Sequence, residues 1–161
     1  MIRARLMQKE SEHWRFPGWR ILAFCSLAGC AAVLLTIAIE AALGVFDWRH
    51  PPITDLHALW TQWFPVGLVL VPLEEWIFRG IVLRHLERWT GSLIALVVSS
   101  ALFSYVAHNG DVSAFWTRMA AGMLMGVIYL STRSLWCSIA AHFWWNFTIQ
   151  LLITAILLHL R

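Results

Sequence analysis

Residues 64–83 form an almost wholly apolar run, yet two adjacent acids, Glu74 and Glu75, and one base, Arg79, sit inside it. A charge at the centre of an apolar span costs roughly 2.5–3.5 kcal/mol on membrane-insertion scales, so a fold must give these groups partners. Helical spacing supplies one. Glu75 and Arg79 are four apart, on one helix face and in the acid-before-base order that favours an ion pair. Glu74 points about 100° away from Glu75 and is the acid left to act as a general base. Burial beside a second carboxylate would strengthen it in that role. Pro72 lacks a backbone N–H, which predicts a kink and free carbonyls beside the acids.

The solvent implied around this run is lipid. The 161 residues are 60% hydrophobic and 13% charged, and eleven are tryptophan, a residue enriched at membrane interfaces. Apolar stretches long enough to be spans cover about 21–46, 64–83, 92–107, 115–130 and 135–158. The expected fold is therefore all-α: a polytopic transmembrane helix bundle of about five spans. A polar connection at 47–63 holds Pro51 and Pro52. A short amphipathic piece at 84–89 is closed by Thr90 and Gly91, and a turn at 131–134 separates the last two spans.

Five of the twelve basic residues, Arg3, Arg5, Lys9, Arg15 and Arg20, precede the first apolar run. With Arg84, Arg88 and Arg133 they place the N-terminus in the cytoplasm by the positive-inside rule, and a bacterial inner (plasma) membrane is the expected location. Residues 1–20 read as a basic cytoplasmic tail and 21–161 as a single transmembrane domain. Glu10 and Glu12 interrupt the basic tail and no aromatic-basic interleaving follows, which argues against nucleic acid as a partner. The run at 21–46 exceeds the roughly 7–15 apolar residues of a signal sequence. Cys25, Cys30 and Cys137 lie in apolar stretches without CxxC spacing, so neither a disulfide framework nor a cysteine nucleophile is expected.

Three further polar residues accompany the acids. His108 closes the third span, where a lone histidine reads first as interfacial. His142 and Asn146 are four apart and share a helix face, a spacing that by itself also suits interhelical hydrogen-bond glue. Polar groups converging from separate spans are harder to assign to packing, because each needs its own partner in lipid. Glu74, His108 and His142 are also possible zinc ligands, although no HExxH spacing is present. No Ser/His/Asp arrangement competes. Elsewhere, Gly122 and Gly126 suit close helix contact, Met119, Met123 and Met125 read as apolar filler, and Glu40 as an acid snorkelling to the interface. Arg118 reads as an interfacial anchor or a partner for a substrate carboxylate.

Taken together these residues resemble the CPBP or ABI family of CAAX-processing and bacteriocin-processing intramembrane proteases, to which the Rce1-type prenyl-protein peptidases belong. Its first motif, two glutamates, three residues, then arginine and glycine, is matched by Glu74, Glu75, Arg79 and Gly80. Its second-motif histidine corresponds to His108. Its last region is matched by Gly122, Gly126, Tyr129, residues 131–135, His142 and Asn146. One departure stands out. The phenylalanine usual four residues before the histidine is Phe103 here, one place early, with Ser104 in its position.

The resemblance covers about 64–147 and implies a glutamic-type endopeptidase without metal or other cofactor. Glu74 and His108 would activate water, and His142 with Asn146 would bind the oxyanion. The implied partners are the lipid bilayer and a membrane-anchored protein or peptide, its C-terminal segment being one candidate for the cleaved part. A non-catalytic membrane binding or bacteriocin-immunity protein is the alternative. Straight helices rising about 1.5 Å per residue would place His108 and His142 towards opposite faces of the membrane, so the bundle must tilt or kink to unite them.

Overall fold

The computed structural model describes residues 14–43, 55–106 and 115–159, apart from the side chains of 39–43 and 156–158. Every regular element among them is helical. Helix α1 is Trp19–Leu43. The segments α2 (Leu56–Ala58), π1 (Leu59–Trp63), α3 (Phe64–Glu75), π2 (Trp76–Leu83) and α4 (Arg84–Thr90) follow one another without a break. Helices α5 (Ser92–Val106), α6 (Phe115–Thr132) and α7 (Leu135–His159) complete the bundle.

The polar connection expected up to residue 63 is helical from Leu56 onward. Asp55 starts it by accepting a hydrogen bond from the Ala58 N–H at 2.7 Å, an N-cap. Trp60 and Trp63 then pack against Phe147 and Phe143, with ring centroids 5.5 and 5.7 Å apart. These ring contacts hold as helix a segment that the neighbouring prolines made look like a loop. Residues 51–54 and Glu40's side chain lie outside the description.

Helix α3 runs through Pro72, and the change of winding comes one turn later, in π2. Wide π turns leave backbone groups in need of partners, and here the Ser99 hydroxyl donates to the Phe78 carbonyl at 2.9 Å. Gly91, at φ 80°, ends α4 and sends its N–H back to the Glu87 carbonyl at 3.2 Å, which turns the chain into α5. Arg133 ends α6 in the left-handed region, at φ 52°, with its N–H on the Tyr129 carbonyl. Its guanidinium grips both oxygens of Glu87 at 2.7 and 2.8 Å, so this exposed pair ties α4 to the α6–α7 turn.

Helix α7 is the one against which α1, α3 and α6 pack, while α5 lies along α6. Val33, Met125, Ala141 and Trp145 form one core, and Leu83, Leu96, Tyr129 and Leu135 belong to a second. The expected close contact at Gly122 is present: a Cβ there would lie 3.1 Å from the Phe103 ring and 3.3 Å from the Ser100 Cα.

Polarity is distributed inside out. Phe24, Leu27, Val69, Leu93 and Trp116 are exposed, whereas Glu75, Arg79, Ser99, Ser138 and His142 are buried. Among the described residues Trp19–Ala38, with a mean hydropathy of 2.4, is long and apolar enough to cross a membrane; Ser92–Val106 is apolar but shorter. The other expected spans, at 64–83, 115–130 and 135–158, do not reach that combination of length and apolarity among the described residues.

At φ 80° and ψ 166° Gly91 occupies backbone space that an L side chain rarely enters, although nothing lies within 4 Å of a Cβ there. Gly91→Ala is therefore expected to destabilise the protein by about 1–3 kcal/mol. A lowered thermal midpoint in detergent checks this.

Candidate active site

One carboxylate on α3 draws partners from π2 and α7, and its arginine reaches on to α5 and α6. Glu75, in the last turn of α3, is fully buried. Its Oε1 accepts from Arg79 Nη1 at 2.8 Å and from His142 Nδ1 at 2.7 Å. Its Oε2 accepts from the Ser138 hydroxyl. The Arg79 guanidinium, also buried, spends Nη2 on the Gly122 carbonyl at 2.8 Å and lies 4.8 Å above the Phe103 ring. Phe103 in turn meets the His142 ring almost perpendicularly, at 5.5 Å between centroids.

The pairing inferred from the spacing of Glu75 and Arg79 is thus present, and its surroundings explain how a buried charge pair is tolerated. Both oxygens of the acid and both terminal nitrogens of the base have partners. An ionised carboxylate paired with arginine can only accept, so His142 must donate from Nδ1. That bond fixes the ring and leaves Nε2 as its one free nitrogen.

Glu74 is placed differently. It is 29% exposed, and its Oε2 lies 3.8 Å from His142 Nε2, beyond hydrogen-bond range. The two acids are therefore inequivalent: Glu75 has its acceptors occupied, and Glu74 faces the free edge of the same histidine. Asn146 follows His142 by one turn of α7 and is partly buried. His108 lies outside the described residues. Helix α7 runs antiparallel to α3, so that Ser138 and His142 meet Glu75 while Phe143 and Phe147 meet Phe64; the expected separation in depth between His108 and His142 falls outside the described residues.

Sequence reasoning missed Ser138, the Gly122 carbonyl and Phe103 as members of this network. Ser138 had a signal, since it precedes His142 by one helical turn. Phe103 was visible only as a departure from the family pattern, yet it packs on both Arg79 and His142. Ser104, in the expected phenylalanine position, donates instead to the Phe115 carbonyl at 2.7 Å. Among the described residues no three His, Cys, Asp or Glu side chains are grouped so as to hold a metal ion. The zinc alternative thus depends on His108 joining Glu74 and His142.

Fold and site together define an all-helical protein with a saturated Glu–Arg–His–Ser network beside an open glutamate. The chain belongs to the Rce1-like family: the family described as type II CAAX prenyl endopeptidase, Rce1-like, matches residues 56–148, more than half of the chain. The match includes Glu74, Glu75, Arg79, His108, His142 and Asn146 and leaves out α1. No curated protein and no solved structure matches the chain.

Removing one member of a buried charge pair strands the other. Arg79→Leu is expected to destabilise the fold by about 3–5 kcal/mol, and Glu75→Gln with Arg79→Leu by clearly less than the sum of the single changes. Ser138→Ala should cost about 1–3 kcal/mol, the range for leaving one charged acceptor short of a donor. Unfolding in detergent, read by tryptophan fluorescence, checks all three.

Proposed function

We propose that the chain is an integral-membrane endopeptidase that hydrolyses a peptide bond of a membrane-anchored protein or peptide, with Glu74 as the general base. The observation that carries this reading is the open Glu74 carboxylate 3.8 Å from Nε2 of a histidine whose other nitrogen is tied to a buried acid. A water oxygen about 2.8 Å from both atoms would sit at the apex of a triangle on that edge. A base, an oriented imidazole and a neighbouring amide are the parts amide hydrolysis needs.

In the reaction Glu74, aided by His108, takes a proton from water as its oxygen bonds to the scissile carbonyl carbon. The oxyanion formed is held by His142 Nε2–H and the Asn146 amide. Collapse restores the carbonyl, the C–N bond breaks, and the proton held by Glu74 goes to the departing amine. Because Nδ1 keeps its proton on Glu75, donation from Nε2 requires the doubly protonated ring.

The membrane setting is supported by the inside-out polarity and by helix directions. Contacts of Arg15 with Ser134, Gly29 with Ala141 and Cys30 with Thr148 make α1 parallel to α7. Helices α3 and α6 run against α7, and α5 runs against α6. This is the alternation that five successive crossings require. The N-terminus is assigned to the cytoplasm, in a bacterial inner membrane, by the basic tail. The family's name makes a prenylated CAAX C-terminus the first substrate class to try.

Glu74→Gln is isosteric and removes the base, so cleavage of a membrane-anchored CAAX peptide should fall by about 10²–10⁴-fold with the fold intact. His108→Ala should also abolish turnover. Mass spectrometry of the peptide products checks both; cleavage that survives both changes would overturn these roles, and absence of cleavage by the wild type would favour a binding or immunity protein. A chelator should leave activity unchanged; inactivation by it, reversed by zinc, would support the zinc route.

A further inference from the structure

Helix α1 lies outside the family match, yet it seats directly behind the residue that precedes His142. At Gly29 a Cβ would overlap the Ala141 carbonyl oxygen and lie 2.9 Å from its carbon and 3.0 Å from its Cα. The obstacle is backbone, which cannot rotate aside as a side chain can. Contacts on either side hold the two helices in register. Trp136 Nε1 donates to the Trp14 carbonyl at 3.0 Å, the Ser134 hydroxyl to the Arg15 carbonyl at 3.2 Å, and the Thr148 hydroxyl to Cys30 Sγ at 3.3 Å. Val33, fully buried, packs in one core with Ala141 and Trp145.

Helix α7 is thus gripped between two surfaces, Glu75 in front and α1 behind. The 2.7 Å bond from His142 to Glu75 and the 3.8 Å gap to Glu74 are set by where this helix rests. Close-packed interiors transmit displacements rather than absorb them. A methyl group on α1 would push the Ala141 backbone, and His142 with it, towards the acids.

We propose that Gly29 is a positioning residue for the candidate reaction: its missing side chain lets α1 set the resting place of α7 and so the stance of His142 between Glu74 and Glu75. The proposal rests on the endopeptidase reading for its effect on rate, but the stance of His142 can be read without any activity.

The test compares wild type, Gly29→Ala and Ala31→Val, the last adding bulk to an exposed position of α1. Two readouts are taken on the full chain in detergent: kcat and KM on a farnesylated CAAX peptide, and the proton resonance of His142 Nδ1–H, assigned by its absence in His142→Gln. Gly29→Ala should lower kcat by about 10- to 100-fold, the range for a small misplacement of a reacting group, with KM within about twofold, and should shift the resonance. Ala31→Val should change neither.

An unchanged kcat and resonance in Gly29→Ala would overturn the proposal, as would a loss of activity carried by KM with the resonance unmoved. If wild type does not cleave the peptide, the functional reading on that substrate fails, and the resonance alone decides the positioning role. If Gly29→Ala does not fold, Val33→Ala loosens the same contact by a cavity. It should then shift the resonance and lower kcat, and an unmoved resonance would overturn the proposal.

Discussion

A fully buried carboxylate is the constraint on which this architecture depends. Glu75 has no access to solvent, so its charge is tolerable only if arginine, histidine and serine reach it at once. Those partners lie on π2 and α7, and Arg79 in turn needs the bare carbonyl of Gly122 on α6 and the face of Phe103 on α5. Satisfying one acid therefore sets the mutual placement of every helix around the site. The apolar contacts at Leu83, Tyr129 and Leu135 pack the bundle. The polar network fixes direction as well as distance, because a hydrogen bond weakens steeply once its geometry is lost.

The same network separates two chemically identical neighbours. Glu74 and Glu75 differ by one position, and a turn of about 100° puts one among partners from π2 and α7 and leaves the other partly exposed. The buried acid holds His142 by Nδ1, which decides what the opposite nitrogen can offer. The open acid stands across from that nitrogen without bonding it. In the proposed reaction the buried carboxylate orients the histidine and the open one acts as the base.

Much of this was legible in the sequence because helical geometry is local. The Glu75–Arg79 pair follows from i,i+4 spacing, the common face of His142 and Asn146 from the same rule, and the contact at Gly122 from its small neighbours. What was not legible depended on tertiary arrangement. Prolines at 51 and 52 made residues 56–63 look like part of a loop, while the aromatic partners that keep them helical lie some eighty residues on. Ser138 was not singled out, because its partner Glu75 reaches it only where α7 meets α3. The direction of His142 could not be read either: periodicity gives the face but not which nitrogen meets which acid.

The central claim is that Glu74 and His142 Nε2 flank the reacting carbonyl, with Glu75 holding the imidazole from behind. The most direct measurement is an experimental structure of the protein in lipid with a non-hydrolysable tetrahedral analogue of the cleaved peptide. One analogue oxygen should lie within about 3 Å of His142 Nε2, the other within about 3 Å of the Glu74 carboxylate, and the Glu75–Nδ1 bond should be retained. An analogue bound elsewhere, or a histidine turned away from Glu75 while the analogue occupies the site, would contradict the account.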